Sequence, residues 1–112
     1  MEARAEAKYL RLSAKKVQLV VRMIRGRPVK EAEAMLRFTS SRAARAVEKV
    51  LKSAVANAEN NLELDRETLK VSRAYADQGP STKRVHPRAR GRADIITRRS
   101  SHVTVIVAES GG

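Results

Sequence analysis

Apolar residues recur at helical spacing in three segments of the first half of the chain. The first helix is predicted from Ser13, a favourable N-cap, to about Arg25, with Gly26 placed to end it. The second is predicted over Val29 to Phe38, after Pro28, and the third over Arg42 to Asn60, after Thr39-Ser40-Ser41. We expect their apolar stripes to face one core: Val17, Val20, Val21 and Ile24; Val29, Ala32, Met35 and Leu36; Ala43, Val47, Val50, Leu51, Ala54 and Ala58.

Alternating patterns predict three strands. Glu2 to Leu10 is charged at every second position, as in a strand with one solvated face. Leu69 to Tyr75 alternates, with Leu69, Val71 and Tyr75 on the apolar side. His102 to Val107 is largely apolar on both faces and should lie at the centre of the sheet. The predicted fold is α+β, with three helices packed on a small, mainly antiparallel three-stranded sheet and a long protruding β-hairpin, in one domain spanning residues 1–112.

The protruding segment lies between Asp77 and His102 and has no apolar periodicity of its own. A connection this long in a compact domain is either functional or disordered, so it is a flexible basic loop or an outward continuation of both strands. The β-branched residues of Arg92 to Thr97, with Gly91 as a turn residue, favour a ribbon with its tip near Pro87 to Arg92. About ten residues beyond the sheet would extend roughly 33 Å.

Charge indicates the class of partner. The chain has 24 basic and 12 acidic residues, a net charge of +12, which predicts a polyanion as partner. Residues 79–102 carry seven basic side chains and one acidic side chain, Asp94. A solvated charged surface usually mixes both signs, so this segment favours contact with nucleic acid. For a second basic cluster, on the first helix and the turn after it, a solvated face and RNA backbone contact are equally good explanations.

Other functions find little support in the sequence. The absence of cysteine excludes disulfides and cysteine-based zinc sites, and His86 and His102 have no companions at metal-binding spacing, so no metal or cofactor is expected. No segment joins a nucleophile, a histidine and a carboxylate, or forms a phosphate-binding glycine loop, so we expect neither an enzyme nor a small-molecule substrate. No apolar run approaches the roughly 18 residues that span a bilayer, which predicts a cytosolic protein with no membrane partner.

Two alternatives are weaker. A DNA-binding regulator could use the second and third helices as a helix-turn-helix, but it leaves the basic arm unexplained. An interfacial membrane binder needs a basic amphipathic helix, which the arm lacks.

The arm carries a resemblance to a known family. It combines Lys83, the run Arg88-Ala89-Arg90-Gly91-Arg92 and, after nine further residues, His102 to Val107. Further matches are Ser13 with Lys16-Val17, Ile24-Arg25-Gly26, and Ser53-Ala54 with Asn57-Ala58. Over nearly its whole length the chain resembles the large-subunit ribosomal proteins numbered twenty-two in the bacterial scheme. Thr82 is a departure, because many bacterial relatives have Met there.

This resemblance implies a structural constituent of the large ribosomal subunit, located in the cytoplasm. It would bind large-subunit (23S-type) ribosomal RNA, aid its assembly and line the nascent-polypeptide exit tunnel with its hairpin tip; its other partners would be neighbouring large-subunit proteins and the nascent polypeptide. The expected RNA-binding residues are Arg11, Lys15, Lys16, Arg22, Arg25, Arg27, Lys83, Arg84, His86, Arg88, Arg90, Arg92, Arg98 and Arg99. The expected tunnel-lining tip is Val85, His86, Pro87, Arg88, Ala89, Arg90, Gly91 and Arg92.

Overall fold

The chain forms a strand, then three helices, then a series of strands, in the order that the periodicities predict. The computed structural model describes residues 2–78, 82–87, 93–98 and 100–109, with the backbone alone for Tyr9, 82–87 and 93–98. The elements are β1 (Glu2–Leu10), α1 (Ala14–Ile24), α2 (Val29–Phe38), α3 (Arg42–Leu62), a short 3₁₀ helix (Arg66–Thr68), β2 (Leu69–Gln78), β3 (Thr82–Pro87), β4 (Ala93–Arg98) and β5 (Ser101–Glu109).

The main sheet has three strands in the order β1-β5-β2, and both pairings are antiparallel. Val103, Val105 and Val107 of β5 are fully buried. Thr104 and Ile106 point to the opposite face and are also buried, because the flanking strands place long side chains such as Arg4 and Arg73 across from Ile106. The prediction that this strand lies at the centre is confirmed.

The apolar stripes of the three helices form one core with the sheet. α3 contacts β1, β5, α1 and α2, and α1 contacts β2. Val17, Val21, Ile24, Val47 and Leu51 are completely buried in this core, while Met35 is only partly buried. The predicted α+β fold, with three helices on an antiparallel three-stranded sheet, is confirmed.

A tight turn after α1 closes the outer edge of β2. Gly26 has φ of 72°, a left-handed conformation that favours glycine, and it follows the helix as predicted. Its N–H donates to the Val71 carbonyl at 2.9 Å, and the Val71 N–H donates to the Arg27 carbonyl at 2.9 Å. Farther along β2, Gln18 donates to the Ala76 carbonyl at 3.0 Å. These bonds satisfy an edge that would otherwise present unpaired backbone groups.

Ser13 is the N-cap residue of α1, as predicted, although its side chain makes no capping bond; its carbonyl accepts from the Val17 N–H at 3.2 Å. Two details of the predictions are wrong. α3 continues past Asn60 and ends at Leu62, because Glu63 adopts the left-handed conformation that ends the helix. In this arrangement the Leu64 side chain is buried and the Leu64 N–H donates to the Ala58 carbonyl at 3.0 Å.

The second error concerns β2. The pairing with β5 shifts between Val71 and Arg73, as at a β-bulge, so the inward-facing positions change from odd to even numbers. Ala74 and Ala76 are therefore buried, and Tyr75, predicted on the apolar side, is only partly buried.

The strands β3 and β4 form the protruding ribbon. They pair antiparallel from Thr82 opposite Arg98 to Pro87 opposite Ala93, in a sheet of their own. β2 and β5 end their pairing at Gln78 opposite Ser101, so each ribbon strand follows or precedes a strand of the main sheet. The predicted hairpin is confirmed in these strands. The radius of gyration is 17.3 Å and the longest dimension 66 Å, whereas a compact domain of this length has a radius near 13 Å.

The buried contact of α3 with the sheet should dominate the stability of the body. Leu51→Ala removes a completely buried side chain and should lower the free energy of unfolding by about 2–5 kcal/mol. Leu19→Ala is the matched control, since Leu19 is 62% exposed, and it should change stability by less than about 0.5 kcal/mol. Urea unfolding followed by circular dichroism measures both, and equal effects would contradict this assignment of the core.

Candidate nucleic-acid interface

The packing of α1 turns its basic side chains outward. With one apolar stripe buried, the remaining positions and the two adjoining loops carry six exposed cations. They are Arg11, Lys15, Lys16, Arg22, Arg25 and Arg27. These are the six body residues in the predicted RNA-binding set, and the structure brings them to one helix and its ends.

Two of these cations already have partners within the protein. The Arg25 Nε donates to the Ala74 carbonyl at 2.7 Å, which ties the end of α1 to β2. Arg27 forms an ion pair with Glu31 at 2.8 Å, an exposed contact of little energetic value. The other four, Arg11, Lys15, Lys16 and Arg22, form no ion pair with any acidic side chain that the structure describes. Their charge is therefore uncompensated within the described residues.

The start of α1 lies beside the base of the arm. Lys15 and Gln18 of the helix line a surface groove of about 450 Å³ together with Gln78 and Ser100, which flank the arm in the chain. The basic face of α1 is thus adjacent to the point where the arm leaves the main sheet. The sequence separates these two predicted binding segments by some 60 residues, and the fold joins them.

The predicted arm residues are only partly described. Lys83 lies opposite Thr97, Arg84 opposite Ile96, Val85 opposite Ile95 and His86 opposite Asp94. Arg98 and Pro87 lie at the two ends of the paired ribbon. The remaining predicted positions, Arg88, Ala89, Arg90, Gly91, Arg92 and Arg99, are outside the described residues.

Sequence reasoning missed a basic stripe on α3. Arg42, Arg45, Lys49 and Lys52 are all exposed and follow one another at spacings of three, four and three residues, which place them on one helix face. The spacing of these cations is visible in the sequence, but the apolar stripe alone was enough to predict the helix. A groove of about 520 Å³ brings Arg42 together with Arg11 and Lys16 of the predicted set. The two basic faces therefore meet.

One member of the stripe is structural. The Arg45 Nη2 donates to the carbonyls of Leu36, of Thr39 at 2.9 Å and of Arg37 at 3.3 Å, and its Nη1 lies 3.4 Å from Glu48. These carbonyls end α2, where helical partners are missing. Arg45 thus caps α2 from the neighbouring helix.

Two other kinds of site have no support in the described part of the chain. Within residues 2–78, 82–87, 93–98 and 100–109, no three His, Cys, Asp or Glu side chains come together to hold a metal ion. Among the helices described, none is long and apolar enough to cross a membrane.

Comparison with known proteins decides the family. The family model described as ribosomal protein L22p/L17e matches residues 5–108. The chain belongs to this family. It is 58% identical over 109 residues to the large ribosomal subunit protein uL22 of Desulforamulus reducens, which covers 97% of this chain and 96% of that protein. It is 55% identical over 112 residues to uL22 of Thermus thermophilus, covering 100% of this chain and 99% of that protein.

Membership in the L22p/L17e family confirms several predictions. The resemblance stated for the arm and the distant matches is correct, and the protein is a structural ribosomal protein of the large subunit rather than an enzyme. Its location is the cytoplasmic ribosome. The DNA-binding regulator is thereby set aside.

The hydrogen bonds of Arg45 give it a structural role, so its substitution should affect stability more than substitution of another cation on the same stripe. Arg45→Gln removes the hydrogen bonds to the end of α2 and should lower the free energy of unfolding by about 1–3 kcal/mol. Lys49→Gln is the control on the same stripe and should change it by less than about 0.5 kcal/mol. Urea unfolding of the free protein measures both, and an Arg45→Gln variant as stable as the control would show that the cap contributes nothing.

Proposed function

We propose that the protein binds large-subunit ribosomal RNA as a single domain of residues 1–112, with residues 77–102 as its extended basic arm. Binding proceeds through neutralisation of phosphates and fit to RNA shape. The observation that carries the proposal is the charge of Arg11, Lys15, Lys16 and Arg22, which no described acidic side chain compensates; Lys15 also lines the groove at the base of the arm. Such cations can bind phosphates without first breaking an ion pair, and their binding releases the counterions of the RNA.

The N-terminal end of α1 is suited to a phosphate group. Its first turn has no acidic residue, and no side chain caps it within the described residues. The N–H groups there point outward with the positive end of the helix dipole, where phosphates bind favourably. Lys15 and Lys16 lie in this first turn, and Arg11 precedes it. Arg22, Arg25 and Arg27 extend the same face toward the turn that follows α1.

The arm supplies the second part of the interface. Its proposed RNA-binding residues are Lys83, Arg84, His86, Arg88, Arg90, Arg92, Arg98 and Arg99. Close cations of one sign repel one another, and a dense phosphate environment relieves that repulsion. A two-stranded ribbon is only about 5 Å from strand to strand, so its backbone can enter spaces between RNA segments that the body cannot.

The tip of the arm is proposed to line the exit tunnel. Val85, His86, Pro87, Arg88, Ala89, Arg90, Gly91 and Arg92 would face the nascent polypeptide. The support is the resemblance of this segment to the family pattern and the antiparallel ribbon, paired from Thr82 opposite Arg98 to Pro87 opposite Ala93, that leads into it. A protein that contacts RNA both at its body and along an arm also joins separate RNA segments, which would aid assembly of the subunit beside neighbouring large-subunit proteins.

Salt dependence tests the electrostatic part of this proposal. The affinity of the full chain for a 23S ribosomal RNA transcript should fall steeply as salt rises. The double variant Lys15→Gln/Lys16→Gln should reduce the log–log slope by about 1.4–1.8, since each lost phosphate contact removes roughly 0.7–0.9. Filter binding at several salt concentrations measures the slope.

The matched control is Lys8→Gln/Lys30→Gln, two lysines outside both basic faces. It removes the same charge from lysines that pair with Glu6 and Glu67 at 3.5 and 2.6 Å. The control should leave the slope within experimental error of the wild type. A flat salt dependence of the wild-type chain, or equal slopes for the two double variants, would contradict the proposal.

A further inference from the structure

The end of α2 exposes the chain's single phenylalanine. Phe38 is 87% exposed, although it is the last residue of a helix whose Val29, Ala32 and Leu36 are buried. At about 100° per residue, Phe38 lies roughly 200° around the helix from Leu36, so it projects away from the core. An exposed aromatic ring can bury a large apolar area against a partner, so Phe38 is a candidate contact residue if its surroundings fit a particular ligand.

A shallow basic depression adjoins Phe38. It measures about 440 Å³ and is lined by Arg37, Thr39, Ser40, Ser41, Arg42 and Arg45. Arg45 is occupied with the end of α2, as described above. Arg37 and Arg42 are exposed and form no ion pair with a described acidic side chain. Two arginines are thus available on the segments directly before and after the ring.

The surroundings of this depression have one sign of charge. From Ala34 to Val47 the chain has three arginines and no acidic residue. The next acidic side chain, Glu48, lies 3.4 Å from Arg45 and 4.0 Å from Lys52, so its charge is already paired. The depression therefore attracts an anion.

The depression is continuous with the proposed RNA-binding surface. Ser41 and Arg42 line both this depression and the groove that contains Arg11 and Lys16. A strand of RNA that follows the start of α1 can therefore reach Phe38 without leaving basic surface.

We propose that Phe38 is a stacking platform for one unpaired base of ribosomal RNA, with Arg37 and Arg42 binding the phosphates on either side of that nucleotide. This inference rests on the proposed function and adds a base contact at a place outside the predicted binding set. Unpaired bases bind proteins by stacking on aromatic rings beside cations that hold the backbone.

An apolar pocket of a neighbouring protein is the other possible occupant. Such a pocket would bury the area of the ring, but it would also have to supply acidic groups to pair with the two arginines, whereas RNA supplies phosphates throughout its backbone. Here the ring lies between exposed arginines that no described acidic residue neutralises. Charge complementarity therefore favours RNA.

Substitution of the ring separates stacking from simple apolar contact. Phe38→Leu keeps an apolar side chain and removes the aromatic face, whereas Phe38→Tyr keeps the face. With a 23S ribosomal RNA transcript at fixed salt, Phe38→Leu should weaken binding by about 5-fold or more, the lower end of the effect of losing one stacked base. Phe38→Tyr should bind within about 2-fold of the wild type. All three chains should melt together, because the ring is outside the core.

The salt dependence and a crosslink complete the test. Phe38→Leu should keep the wild-type slope, because stacking releases no counterions, while Arg37→Gln/Arg42→Gln should lower it by about 1.4–1.8. Ultraviolet crosslinking and mass spectrometry should place a nucleotide on the Phe38 peptide.

Two failures are distinguishable. Wild-type affinity in Phe38→Leu would overturn the stacking platform and leave the proposed function standing, with a protein pocket as the occupant of Phe38. A wild-type chain that does not bind the transcript would overturn both.

Discussion

The burial of aliphatic side chains between α1, α3 and the central strand β5 is the contact on which the rest of the molecule depends. Val17, Val47, Leu51, Val103 and Val105 are completely buried there. No tryptophan is available and the one phenylalanine is exposed, so close packing of valine, leucine and alanine supplies the stability. Because the apolar side of each helix packs into this core, the basic side of the helix must face solvent. Exposed charge on α1 and α3 is a consequence of the packing.

The same core makes the arm possible. A two-stranded ribbon is marginal by itself in water, but here its strands follow from β2 and lead into β5, which are held in the main sheet up to Gln78 and Ser101. Hydrogen bonds from the turn at Gly26 and from Gln18 satisfy backbone groups on the outer edge of β2. They hold in place the strand that leads into the arm. The body thus anchors the arm and also carries the proposed binding surface.

Periodicity was sufficient to predict most of the fold, because each element has one clear apolar side. It was insufficient where a tertiary contact outweighs a local preference. The third helix continues past its predicted end at Asn60, and Glu63 adopts the left-handed conformation, because Leu64 is then buried. The bulge near Arg73 reverses the inward side of β2, although apolar and polar residues alternate in its sequence. The six body cations were named from sequence, whereas the meeting of Arg42 with Arg11 and Lys16 needed the fold. The exposed position of Phe38 also depends on how α2 packs, which composition does not report.

In the proposed function, the protein is an RNA-bound part of the subunit that the arm holds in place. Retention on large ribosomal subunits through centrifugation at about 1 M salt, where electrostatic screening acts within about 3 Å, tests this most directly. The comparison is a chain in which an Asn-Gly turn joins Gln78 to Ser101, which the sheet places opposite each other. The full chain should remain on the subunit in equal molar amount, and the chain without the arm should be released. Release of the full chain in the same wash, or equal retention of the two, would contradict the account.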